Sequence, residues 1–182
     1  MHAVALGRLT LLYNHLHDHS GALATVQEAV LRAETGANPT IRAWLALVEA
    51  ETRAHVQDAR GFYHATSRAE TLVQRIAADD YSYWCGFDVA RLTSYRGTGL
   101  VQLQRPDDAL PLLHQALALT APHAIRRRST IGVELITAYA QRRDDDAVAA
   151  LLPDVRSWAY QAQSRVNLQR LDRLKPRLIG TG

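Results

Sequence analysis

Residues 88–121 read DVARLTSYRGTGLVQLQRPDDALPLLHQALALTA. Asp88 stands where a helix wants a capping side chain, and Val89, Leu92, Leu100 and Leu103 follow at helical spacing, with Arg96 between them. Gly97 and Gly99 would each cost about 1 kcal/mol relative to alanine inside that helix. Their presence predicts a neighbour packed closely against bare backbone. Pro106-Asp107-Asp108 opens a second helix. With Asp107 or Asp108 as its cap, Pro111 falls in the first turn, where N–H groups have no intrahelical acceptor. Pro122 ends the pair, so the stretch is a helical hairpin.

The same frame recurs along the chain. Ala22, Ala59, Ala109 and Ala147 are each followed four residues later by an apolar or aromatic partner: Val26, Tyr63, Leu113 and Leu151. The alanines are separated by 37, 50 and 38 residues. This recurrence predicts an all-α stack of four antiparallel hairpins, over about 3–36, 38–77, 88–121 and 124–163, with a capping helix over about 164–178. Such a stack buries a continuous core and presents a concave surface. In the first hairpin Leu6, Leu9 and Tyr13 are the expected inner stripe, and Asp18 or Ser20 the cap of the returning helix. Gly36 closes that hairpin. Asn38-Pro39 opens the second as a cap and a first-turn proline, and Asp58 caps its partner. The fourth turns at 142–145, and Pro153 predicts a kink in its second helix. Arginines on the last segment would face solvent, as an end repeat requires.

The alanine spacing stretches across Asp79-Asp80-Tyr81-Ser82-Tyr83-Trp84-Cys85-Gly86-Phe87. Two readings stand for this aromatic insertion: a plug buried between repeats, or an aromatic wall beside a binding groove.

Composition agrees with helix. The 182 residues include only two Phe and one Met but many Ala and Leu. Charge is uneven. Residues 1–90 carry seven Arg against ten Asp and Glu, and residues 91–182 carry fourteen Arg and Lys against eight. The overall +3 is too small to require a nucleic-acid or membrane partner. Cys85 has no second cysteine to pair with, which suits a reducing compartment. No apolar run approaches the roughly 18 residues needed to span a bilayer, and the N-terminus lacks a signal-peptide pattern. A cytoplasmic location is expected.

These residues resemble the tetratricopeptide repeat (TPR). Leu6, Leu9, Thr10, Tyr13, Ala22, Val26 and Ala29 fall on its consensus positions in the first repeat. Thr93, Arg96, Gly97, Leu100, Ala109, Leu113 and Ala116 fall on them in the third, well matched from the glycine onward. The second and fourth repeats match weakly. More narrowly, Tyr95-Arg96-Gly97 with Leu103-Gln104-Arg105-Pro106-Asp107-Asp108-Ala109 resembles the C-terminal repeat region of actinobacterial XRE-type transcriptional regulators. The resemblance implies a right-handed superhelix that binds a protein or peptide segment in its concave groove. Such a module would be the sensory or interaction part of a regulator. It also implies groove residues: Asn14 and His15, Trp44 and Glu51, Arg91, Ser94, Thr98 and Gln102, and Tyr139. A homodimer or assembly domain with no small ligand is the alternative. No DNA-binding helical pair reads ahead of the first hairpin, so no direct nucleic-acid contact is expected of this region.

Catalytic and metal chemistry find little support. His15-Leu16-His17-Asp18-His19 holds residue types that bind zinc or nickel, but it falls at a helix end, where polar residues collect anyway. Arg126-Arg127-Arg128 point in different directions around a helix and make no flat phosphate patch. Cys85 has no recognisable base, and no phosphate loop, zincin motif or serine elbow is present. The expectation is a non-enzymatic module without cofactor or metal.

Overall fold

The computed structural model describes residues 2–76 and 88–179, and those residues form nine helices and no strand. They are α1 (His2–His15), α2 (His19–Glu34), α3 (Pro39–His55), α4 (Ala59–Val73), α5 (Val89–Gln102), α6 (Pro106–Leu119), α7 (Ile125–Arg142), α8 (Asp145–Gln161) and α9 (Arg165–Ile179). The readings of 79–87, Trp84 and Cys85 included, lie outside the described residues. No helix among those described is long and apolar enough to cross a membrane.

Five helix ends are built alike. His17, Gln57, Gln104, Arg143 and Gln163 all take left-handed φ angles between 51° and 60°. The next residue then sends its N–H back to the last turn: Asp18 to the Tyr13 carbonyl (3.0 Å), Asp58 to Arg53 (2.9 Å), Arg105 to Leu100 (2.9 Å), Asp144 to Tyr139 (3.0 Å) and Ser164 to Ala159 (3.0 Å). This closure satisfies carbonyls that a helix end leaves open. Each of these residues also directly precedes the next helix, and three of them are aspartates that cap it. The side chains of Asp18, Asp58 and Asp144 accept from the N–H groups of Gly21 (2.9 Å), Gly61 (2.8 Å) and Ala147 (3.1 Å). The Gly21 N–H, aided by the Ser20 hydroxyl, holds the Asp18 carboxyl below its ordinary range. Asn38 and Asp88 cap α3 and α5 through Ile41 (3.0 Å) and Arg91 (2.7 Å), with Pro39 in the first turn of α3.

The turn geometry corrects one expectation. Arg105, not Asp107 or Asp108, precedes α6, and Pro106 is its first residue. The two aspartates therefore lie within the first turn, where negative charge suits the helix dipole. Pro111 lies inside the helix rather than in that first turn. Pro153 also lies inside its helix, α8.

Short connections pair α1 with α2, α3 with α4, α5 with α6 and α7 with α8. The first members of these pairs also pack on one another in series, α1 on α3, α3 on α5 and α5 on α7, and α9 packs on α7 and α8. One core cluster joins Ala50 and Ala54 of α3, Phe62 of α4, Leu100 of α5, Leu113 of α6 and Ile131 and Leu135 of α7. Of the four repeat alanines, Ala22 and Ala109 are wholly enclosed, Ala147 is half-buried and Ala59 is exposed. Gly97 lies under Leu113 and Gly99 under the Phe62 ring, so both glycines meet a close neighbour.

In α1 the buried stripe is Ala3, Gly7, Thr10 and Asn14. Leu9, an expected core residue, is exposed. The stripe is rotated because Trp44 and Leu45 of α3 close onto Gly7, where a Cβ would stand 2.6 Å from either side chain.

Gly99→Ala tests this packing. Alanine gains about 1 kcal/mol as a helix former, but crowding against Phe62 costs roughly 1–3 kcal/mol. The expected result in urea denaturation is a net loss of stability; a gain would show that the ring yields freely.

Candidate functional site

The serial packing of α1, α3, α5, α7 and α9 collects their polar residues along one concave surface. Two adjoining concavities, of about 630 and 480 Å³, share Glu51, Thr98, Glu134 and Arg170 as common walls. The larger extends over Arg91, Ser94 and Tyr95 to His123 and the start of α7. The smaller extends over Gln102, Asn14 and His15 to His17, His19 and His55. Together they form one groove.

Glu134 is the centre of its floor. Its side chain is 3% exposed, and its Oε1 accepts from an Arg170 guanidinium N–H at 2.7 Å. Glu134 Oε2 is buried and has no hydrogen-bond partner among the described residues. The carboxylate holds the Arg170 guanidinium above its ordinary range, against the opposing effect of burial. Tyr95 is pushed up by burial and secondarily by the charge of Glu51, so its phenol stays neutral well into the alkaline range.

The surrounding bonds fix the walls. Asn14 Nδ2 donates to Thr52 Oγ1 at 3.0 Å, and that hydroxyl donates to the Val48 carbonyl at 2.9 Å, joining α1 to α3. Asn167 Nδ2 donates to Ser129 Oγ at 2.8 Å and seats α9 on α7. Arg127 reaches Asp88 at 2.6 Å, and Arg126 donates to the Ala162 carbonyl at 3.0 Å. At the other end the His19 and His55 rings stack at 5.5 Å, and His55 lies 3.9 Å from Glu51. Among the described residues no group of three or more His, Cys, Asp or Glu side chains is arranged to hold a metal ion.

The structure brings together Asn14, His15, Glu51, Arg91, Ser94, Thr98 and Gln102. Trp44 does not join them. It is 1% exposed and fills the slot left by Gly7, with the Arg8 guanidinium 5.6 Å from the ring centroid. Tyr139 is also elsewhere, with its hydroxyl 2.7 Å from His114 Nε2. Five residues beyond Glu134 on an α-helix is a rotation of about 140°, away from the groove face. Glu134 and Arg170 were missed from the sequence. The signal for Glu134 was a lone acid inside Ile131-Gly132-Val133-Glu134-Leu135-Ile136, since a charge amid an apolar run is seldom buried unless paired.

Compared with family models, curated proteins and solved structures, the chain matches none.

Removing Arg170 would leave the Glu134 carboxylate buried without its cation. Arg170→Met should therefore cost roughly 2 kcal/mol or more of unfolding free energy. Adding Glu134→Gln to that variant should restore part of the loss. Denaturant melts of the single and double variants check this; a neutral Arg170→Met would show that water serves the carboxylate equally well.

Proposed function

We propose that this chain is a TPR-like module, a right-handed superhelix of four hairpins with a capping helix, that binds a peptide or protein segment in its concave groove. Its place would be the sensory or interaction part of a bacterial transcriptional regulator, with no catalytic step of its own. The observation that carries the reading is the pooling of polar side chains from five different helices into one groove. Amides, hydroxyls and guanidinium groups there match the donors and acceptors of a peptide backbone. Apolar atoms between them offer surface for side chains, and the volumes are in the range of ligand sites.

An assembly role has one observation of its own: Leu9, Leu12 and Leu16 leave an apolar stripe exposed on α1. Large exposed apolar side chains in a row are a common mark of contact surfaces.

A library of random 12-residue peptides, displayed and selected against the chain, supplies a ligand for the test. Fluorescence anisotropy should then give a dissociation constant at least tenfold weaker for Arg91→Ala/Gln102→Ala, with unchanged far-ultraviolet circular dichroism. Equal affinity would refute the groove assignment. A wild-type dimer that binds no peptide, and that Leu12→Glu separates, would move the function to assembly.

A further inference from the structure

The smaller concavity carries four of the chain's eight histidines, His15, His17, His19 and His55. They come from the end of α1, the turn after it, the start of α2 and the end of α3. His15 and His17 are exposed, and His19 and His55 are half-buried. The His17 and His19 rings meet edge to face at 6.0 Å, and the His19 and His55 rings stack at 5.5 Å. The helical frame does not itself demand His17, because Gln57, Gln104, Arg143 and Gln163 hold the same left-handed conformation at the later helix ends.

The other charges lining this concavity balance. Glu51 on α3 and Glu134 on α7 stand against Arg170 and Arg173 on α9, while α5 contributes the uncharged Thr98 and Gln102. Asp18, on the turn before α2, lies beside His19, and its carboxylate accepts from the Gly21 N–H and the Ser20 hydroxyl. With neutral imidazoles the lining has no net charge, and it gains one positive charge for each ring that takes a proton. Histidine ordinarily changes charge between about pH 5 and pH 8, so acidity decides whether this end of the groove attracts anions.

Neighbouring protonated rings repel one another, and an anion laid against them offsets that repulsion. Protonation and anion binding therefore strengthen each other by the same factor. The larger concavity continues the basic character with Arg91, Arg126 and His123. Among the described lining residues Tyr95 is the one carbocyclic aromatic, so nucleic-acid bases find little to stack on.

We propose that the histidine end of the groove binds carboxylates of an acidic peptide, with His15 and His17 taking up protons from solvent as the ligand settles and the His19–His55 stack adding charge beside them. The proposal rests on the groove reading above and narrows it to an acidic ligand held in a proton-linked manner. A bound anion favours the protonated rings, so affinity is gained as pH falls through the histidine range. It is lost again only where the ligand's own carboxylates take up protons, near about pH 4.

Two pools of 12-residue peptides test this, one with Glu or Asp at alternate positions and one with Gln or Asn there. Fluorescence anisotropy with the full chain reads affinity, in buffers containing EDTA so that no metal bridges the rings. Between about pH 8 and about pH 5.5 the acidic pool should tighten about tenfold, the effect of one histidine pKa raised by one unit in the complex. The amide pool should not respond. His15→Gln/His17→Gln should abolish the gain, and His64→Gln, at an exposed position outside the groove, should keep it. A gain unchanged in the double variant overturns the proposal, as does an equal pH response of both pools or tightening as pH rises. The pool comparison needs no variant, so it decides the matter even if the double variant fails to fold. A single-stranded oligonucleotide bound more tightly than the acidic pool also overturns it. Should both pools bind alike at every pH through Arg91 and Gln102, the groove reading stands and this proposal falls. Should neither pool bind, both fall.

Discussion

The Phe62 ring lying against the bare backbone of Gly99 is the contact on which the rest of the molecule depends. It joins α4 to α5 and, through the cluster that includes Ala54, Leu100 and Leu113, joins the first two hairpins to those that follow. The ring is 1% exposed. Losing a buried phenylalanine costs a core about 3–5 kcal/mol, a large share of a typical domain's stability. Its consequence reaches beyond packing. Only with α3 and α5 side by side does Glu51 stand on the same wall as Arg91, Ser94 and Thr98. A methyl group at residue 99 would press on the Phe62 ring and so on the packing of α4 against α5.

Around that joint, polar bonds between helices fix the groove with little help from ligand. Arg127 ties the start of α7 to the cap of α5, Arg126 ties it to the turn before α9, and Asn167 holds α9 to α7. Arg170 then crosses from α9 to Glu134, partly covering the floor. A surface held this way loses little freedom when it binds, so less of the binding energy is offset by ordering. It also leaves the Glu134 Oε2 buried without a hydrogen-bond partner among the described residues.

Much of the helical architecture was legible in the sequence because its signals are local. Caps at Asn38, Asp58 and Asp88, the first-turn Pro39 and the glycine pair 97 and 99 each act within one or two turns. Where the reading slipped, a distant partner decided. Pro111 lies inside α6 because Arg105, and not an aspartate, takes the place before the helix. Leu9 is exposed because Trp44 and Leu45, more than thirty residues away, claim the face of α1 that carries Gly7. Trp44 left the groove for the same reason. Seven of the nine groove residues that the repeat resemblance implied line the two adjoining concavities. Glu134 and Arg170 come together across 36 residues, and no spacing rule in either helix announces such a pair.

The claim at the centre of this account is that ligand sits on the face shared by α3, α5 and α7. Hydrogen–deuterium exchange, with and without a peptide selected for binding, tests it most directly. The account predicts slowed exchange in α5 and α9 and at the start of α7, all of which line the groove. Slowed exchange confined to the outer helices α2, α4, α6 and α8, or to the Leu9–Leu16 stripe of α1, would contradict it.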